Sequence, residues 1–364
     1  MKLLVLAGDG IGPEITDATL TVLRAADRRF GLGLAFEAME IGWAAHGKTG
    51  STLPAAVLDA ARRAAGTILG PISHLDYPPT EKGGINVSAA FRKELDLYAN
   101  VRPARTRPGV PHIGGEMDLV IVRENTEGFY ADRNMWAGSG EFMPAPDMAL
   151  AVRKVTAHAS SRITRTAFDL ARRRRRQVTA VHKANVLRLS EALFLREVRK
   201  VAGDYPDVAL DEVLVDAMAA LLIRSPSRFD VVVTTNMFGD ILSDEASELA
   251  GSLGLAGSLN AGSDYAVAQA QHGSAPDIAG KDRANPVSLM LSAAMLLGWL
   301  GDRHERADLA EAARVIEAAI DRMLADPLHR TADLGGPLGT AAFAHAAAAR
   351  ILAPHGVRSD DSLK

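Results

Sequence analysis

Asp240 and Asp244 stand four residues apart, just beyond the apolar run Val231 to Val233. A short β-branched run bounded by polar residues predicts a buried strand. The run breaks at Asn236 and Gly239, and a helical restart would set both carboxylates on one face, in or near its first turn. Two acids beside the end of a buried strand suit a hard divalent cation, although acids also favour helix N-termini through the macrodipole. Asp216 follows another apolar run and offers a third oxygen ligand. Arg92, Arg102 and Arg123 each lie next to a strand or proline boundary. One such arginine is usually a surface cation; three can clamp a polycarboxylate through bidentate bonds. Tyr130 sits just beyond the strand that ends at Arg123. Lys183, beside His182 at another strand end, can act as base or electrostatic catalyst if metal or cationic neighbours lower its pKa.

Two glycine-rich stretches bear on phosphate binding. Gly8-Asp-Gly-Ile-Gly-Pro-Glu14 follows the first apolar run, but Pro13 takes the third glycine position of a dinucleotide fingerprint and no Walker lysine follows. A tight strand-to-helix turn explains it equally well. The stretch from His272 to Lys281 is rich in small residues, so its backbone N–H groups can approach a pyrophosphate. Within it Asp277 can accept a ribose 2′-hydroxyl and would repel a 2′-phosphate.

The elements that must position these groups alternate in type. Apolar runs at Leu3 to Leu6, Gly66 to Leu69, Leu119 to Val122, Val178 to Val181, Val213 to Val215 and Val231 to Thr234 are separated by long Ala/Arg/Leu helical patterns. That alternation predicts an α/β protein with a largely parallel sheet. At 364 residues the chain is too long for one small core, and with only 5% aromatic residues the core must be aliphatic. A net charge of −3 gives no global attraction to nucleic acid or anionic membrane, and the absence of cysteine excludes disulfides and thiolate chemistry. The five arginines from Arg172 to Arg176 read as a solvated helix end. Asn285 as N-cap and Pro286 at N1 open an apolar helix from Val287 to Leu300, too short to span a bilayer. Met1 to Gly8 is too short in its apolar part for a signal peptide, so a cytoplasmic location is expected. Residues 132–146 are long for a connector and suggest a functional or partner-contacting excursion; the polar tail from Pro354 to Lys364 is expected to be loose.

In this order and spacing the motifs resemble the isocitrate/isopropylmalate dehydrogenase family of metal-dependent β-decarboxylating dehydrogenases, from Gly8 through Asp333-Leu-Gly-Gly336. The resemblance implies a non-Rossmann two-domain α/β fold: a discontinuous large domain (1–98 and 251–364) that binds cofactor, and a small dimerising domain (99–250) with an arm near residues 132–146. It implies that Arg92, Arg102 and Arg123, with Asn86 and Ser88, bind the substrate, and that Tyr130 protonates the enolate after CO₂ leaves. Lys183 would assist removal of the hydroxyl proton, and Asp216, Asp240 and Asp244 would ligate Mg²⁺ or Mn²⁺. Lys183 and Asp216 would come from the neighbouring subunit of a homodimer. Ile11, His272, Gly273, Ser274, Ala275, Asp277, Ile278 and Asn285 would hold the dinucleotide.

NADP-using isocitrate relatives typically carry Lys-Tyr where this chain has Asp277-Ile278, which points to NAD. Gln269 occupies a position where the family often has Glu, on the nicotinamide side. The apolar pocket typical of isopropylmalate enzymes is altered at Ile85, Ser88, Ala89 and Phe91. Asn86 and Ser88 present a polar pair in the reverse order of isocitrate enzymes, and Ala89 stands where homoisocitrate enzymes often have an extra arginine. The stretches from Leu95 to Pro103 and from Arg123 to Gly128 are nearer the isocitrate/homoisocitrate branch. The expected reaction is NAD-dependent oxidative decarboxylation of a (2R)-2-hydroxy-3-carboxy acid with a polar or small C3 substituent. 3-Isopropylmalate, tartrate and D-malate remain alternatives, as does a non-catalytic regulatory homologue, although such subunits tend to lose the Tyr, Lys or Asp kept here.

Overall fold

A computed structural model describes residues 1–130, 132 and 134–353. The expected loose tail and Arg133 of the excursion therefore lie outside the described residues. The first third of the chain contributes β1 (Lys2–Leu6), α1 (Gly12–Phe30), β2 (Ala35–Ala38), α2 (Gly42–Thr49), α3 (Ala55–Arg63), β3 (Gly66–Leu69), α4 (Val87–Glu94), β4 (Ala99–Arg105) and β5 (Asp118–Glu124). The middle adds β6 (Glu141–Ala145), β7 (Met148–Ala151), α5 (Ala157–Arg172), β8 (Gln177–His182), α6 (Ser190–Ala202), β9 (Ala209–Leu214), α7 (Val215–Arg224), β10 (Val231–Thr234) and α8 (Asn236–Leu249). The rest supplies β11 (Leu259–Ala261), β12 (Ala266–Gln269), α9 (Val287–Arg303), α10 (Ala307–Ala325) and α11 (Thr340–Leu352).

Ten strands form one sheet in the order β2-β1-β3-β12-β11-β4-β5-β10-β8-β9. Its two ends are parallel, and antiparallel β11 and β4 join them at the centre. Both ends are covered on both faces, which explains why their strands read as continuous apolar runs. Leu3 and Val5 of β1 face a core built with α1, α9, α10 and α11, whereas Leu4 and Leu6 face α3 and α4. At the other end Val231 and Val233 of β10 pack toward α5 and α6, and Val232 toward α7 and α8. Each such side chain, fully withdrawn from water, contributes on the order of 1.5–3 kcal/mol.

The structure corrects several local expectations. Helix α8 starts directly at Asn236, and Gly239 lies inside it, so Asp240 and Asp244 fall beyond the first turn, where the macrodipole no longer explains them. The strand expected through Val215 ends at Leu214, and Asp216 is helical, in the first turn of α7. Pro286 takes the N-cap position of α9, one residue later than expected, although the Asn285 amide oxygen still accepts from Val287 N at 3.0 Å. Arg92 lies in the last turn of α4 rather than at a strand boundary. The arginine run is more than a solvated end: Arg174 Nε and Arg175 N donate to the fully buried Asp230 at 2.8 Å each. A buried carboxylate needs such partners. No helix among the described residues is long and apolar enough to cross a membrane.

Candidate active site

Register places the arginines. Asn100 of β4 is opposite Arg123 of β5, and Arg102 lies two residues further along β4, so Arg102 and Arg123 project from the same sheet face. Arg123 is 1% exposed, and α8 crosses directly over it. A Cβ on Gly239 would come within 2.7 Å of the Arg123 Cβ and Cγ, so only glycine lets the helix lie this close. Arg123 Nε donates to Asn236 Oδ1 at 2.8 Å, Nη1 pairs with Asp240 Oδ1, and Nη2 donates to Tyr130 Oη at 2.7 Å. Tyr130 in turn donates to Asp240 Oδ2 at 3.2 Å. Arg102 Nη1 reaches Ser243 Oγ at 2.7 Å, Asp244 Oδ1 at 3.0 Å and Asp240 Oδ1 at 3.2 Å.

These contacts set the protonation states. Burial pushes the Arg102 guanidinium down to about 10, with the like charge of Arg123 adding to the effect, so it remains a cation at neutral pH. Burial would raise Asp240, but Arg123, Arg102 and Arg92 outweigh it and hold the carboxyl below its ordinary value. Burial, reinforced by Asp240, raises the Tyr130 phenol, so its proton stays on oxygen across the neutral range. The cluster thus combines fixed cations, an ionised carboxylate and a protonated phenol.

It lines one side of a cleft of about 790 Å³. Arg92, Asn86 and Ser88 of the α4 region line it too, as do Gln269, Gln271, His272 and Gly273. Asn86 caps α4, its side-chain oxygen accepting from Ala89 N at 3.0 Å. Ser88 Oγ accepts from Gln269 Nε2 at 2.7 Å. Gln271 Nε2 donates to Asp244 Oδ1 at 2.9 Å, joining the 271–278 loop to α8.

The same loop docks on the first turn of the chain. Ile11 N donates to Ser274 O at 2.8 Å, and a Cβ on Gly10, whose φ is +57°, would meet that oxygen at 2.0 Å. Asp9 ties the turn down by accepting from Trp43 N, Ser73 N and Tyr77 Oη. The backbone of Gly273 is open, with nothing within 4 Å of where a Cβ would sit. His272 Nδ1 pairs with Gly273 O at 3.0 Å, while its shielded Nε2 has no hydrogen-bond partner among the described residues, and burial lowers its pKa. The open backbone at Gly273 fits the approach of a dinucleotide. Asp277 is exposed at the loop end beside Ile278, and Ala275 adopts a left-handed conformation. The Asn285 amide is already engaged, donating to Asp333 Oδ2 at 2.9 Å.

Lys183 and Asp216 stand apart from this cleft and do not line it. Lys183 Nζ donates to Asp216 Oδ1 at 2.6 Å, and that hydrogen bond holds the Asp216 carboxyl below its ordinary value. Among the described residues no three His, Asp or Glu side chains converge as a metal site. Asp240 and Asp244 do converge on one nitrogen, Arg102 Nη1, so one cation can touch both carboxylates. Their hard oxygens fit Mg²⁺ or Mn²⁺. Sequence reasoning missed Asn236, Ser243 and Gln271, because short polar residues acquire meaning only from what they touch.

The fold is α/β, and the cleft gathers Arg92, Arg102 and Arg123 on its lining. The chain belongs to the isocitrate/isopropylmalate dehydrogenase family, whose model matches residues 2–347. It is 42% identical over 341 residues to a 3-isopropylmalate dehydrogenase of Methanothermobacter thermautotrophicus, covering 93% of this chain and 95% of that protein. It is 43% identical over 348 residues to an isocitrate/homoisocitrate dehydrogenase of Thermus thermophilus, covering 95% and 97%. The structure of an isocitrate dehydrogenase from Methylococcus capsulatus superposes with a TM-score of 0.85 at 41% identity, covering 97% of this chain and 99% of that one. The family comprises oxidative decarboxylating dehydrogenases of small hydroxy acids, generally metal-dependent and using NAD or NADP.

Proposed function

We propose that this protein catalyses NAD-dependent oxidative decarboxylation of a (2R)-2-hydroxy-3-carboxy acid, as a cytoplasmic homodimer with shared active sites. The observation that carries this is the Arg102–Arg123–Tyr130–Asp240 cluster facing the cleft. Arg92, Arg102 and Arg123 bind the substrate carboxylates and fix the reacting carbon. Asp240 and Asp244, with Asp216 of a second copy, hold Mg²⁺ or Mn²⁺, and the 272–278 loop with Ile11 and Asn285 holds the dinucleotide. When bound, NAD accepts the hydride and the metal polarises the substrate oxygens, chemistry no side chain here provides. Lys183 takes the hydroxyl proton. Tyr130 then gives its phenolic proton to the carbon that loses CO₂, from a position fixed by Arg123 and Asp240.

Three further features support the reading. Lys183 reaches toward an exposed Asp216 carboxylate rather than into its own cleft, as suits a pair serving another subunit. The hairpin β6–β7 exposes Phe142, Met143, Met148 and Leu150, an apolar ribbon suited to a partner. With its oxygen occupied by Gln269, the Ser88 hydroxyl is left to donate into the cleft, favouring a polar C3 substituent such as a carboxylate. The domain division proposed is 1–98 with 251–364 against 99–250.

The test is a panel of isocitrate, homoisocitrate, 3-isopropylmalate, D-malate and tartrate with Mg²⁺ or Mn²⁺ and either NAD or NADP, compared by kcat/KM. Metal-dependent NADH formation with a tricarboxylate preferred is expected. No turnover with any of the five sinks the assignment.

A further inference from the structure

We propose that Arg153 is a positioning residue that locks the Lys183 loop to the start of helix α8, and so holds in fixed relation two elements that serve the two shared sites of the proposed dimer; this rests on the role given to Lys183 above. Arg153 follows β7 at the root of the exposed hairpin, and its guanidinium reaches three separate segments. Nη1 donates to Ser190 Oγ at 2.8 Å. Nη2 pairs with Glu191 Oε1 and donates to Thr235 Oγ1 at 3.0 Å. The guanidinium carbon lies 5.7 Å from the Phe129 ring centroid and 5.6 Å from that of Phe238.

The pair is buried: the Glu191 side chain is 0% exposed and that of Arg153 8%. Glu191 spends its other oxygen on Lys183, accepting from the Lys183 backbone N–H at 2.7 Å. Thr235 is the N-cap residue of α8, one position before Asn236, which holds Arg123. One planar fork therefore fixes the backbone that carries Lys183 and the helix start that aims Arg123 and Asp240. A buried pair of this kind adds little net stability, so its value lies in geometry. Lysine has three donors, but they radiate from one nitrogen and lack the planar fork with which Nη1 and Nη2 reach Ser190, Glu191 and Thr235. Because Arg153 is also rooted in the hairpin, contact of that hairpin with a partner would bear directly on where Lys183 sits.

The experiment compares wild type, Arg153→Lys and Arg153→Ala in the full chain. Arg153→Lys keeps the buried positive charge and should fold. It is expected to lower kcat about tenfold to a hundredfold while the hydroxy-acid KM stays within about threefold, as misplacement by about 1 Å does. Millimolar methylguanidinium should restore part of the kcat of Arg153→Ala, whereas a variant that is only unstable would gain nothing from it. Hydrogen exchange should quicken in peptides covering 183–190 and 235–240 but not in α1 or α11. Wild-type kcat in Arg153→Lys, or unchanged exchange at 183–190, overturns the proposal. Exchange is read without substrate, so quickened exchange in a protein inactive on the whole panel would leave the lock standing and remove the assigned reaction instead.

Discussion

The two halves of the proposed site are built differently. Arg102, Arg123, Tyr130 and Asp240 are interlocked at the sheet centre, with Arg123 1% exposed. Lys183 and Asp216 pair at the edge of a parallel end, with side chains 25% and 64% exposed. The first half is held by register, a helix crossing and mutual charge compensation, and is complete within one chain. The second is anchored through its backbone, at Lys183 by Glu191 and at Asp216 by the first turn of α7, and leaves the Asp216 carboxylate open to solvent. A pair whose carboxylate is so exposed contributes little stability, and the shared-site proposal gives it a role across a subunit boundary.

Asp240→Asn should break the interlocked half most severely. Loss of the proposed metal ligand, together with the partner of Arg123 and Tyr130, is expected to cost roughly a thousandfold in metal-dependent turnover with the fold intact. Unchanged Mn²⁺ activation, followed by initial rates, would refute the ligand role. The comparison itself is tested by mixing two inactive proteins, Asp240→Asn and Lys183→Met, after subunit exchange. Shared sites predict recovery of about one quarter of wild-type activity, since half the dimers regain one of two sites; no recovery places both halves in one chain.

Gly239→Ala probes the tight crossing and should cost about 1–3 kcal/mol through displaced Arg123, read as a raised KM and lowered Tm. Asp277→Lys with Ile278→Tyr should move the NAD/NADP preference roughly tenfold toward NADP, measured as the ratio of kcat/KM values. The smallest effect expected is at His272. Its pKa is lowered on folding, so between that value and about 6.5 the unfolded chain binds more protons. Stability should then be full above about 6.5 and decline as pH falls through the folded-state value. Thermal melts at pH 7.5 and 5 should show a larger loss for wild type than for His272→Gln.

Much of the fold was legible because parallel strands buried on both faces have an unmistakable apolar signature: β3 and β10 match the expected Gly66 to Leu69 and Val231 to Thr234. Boundaries set by tertiary contact were not. Helix α8 runs without a break through Gly239 because Arg123 packs beneath it, and no periodicity announces that. Arg174 and Arg175 look like surface cations until Asp230 is seen buried between strand and helix.

By itself the sequence determined the alternation of elements, the aliphatic core and the types of group available, and its motif order carried the family. Hydrophobic pattern and residue chemistry are local properties, written one position at a time. Only the tertiary structure decided that Arg102 and Arg123 share a face, that Tyr130 donates to Asp240, and that Lys183 answers through Glu191 to Arg153. Those relations depend on strand register, helix crossing and burial, which arise only when segments as little as 8 and as much as 110 residues apart are brought into contact.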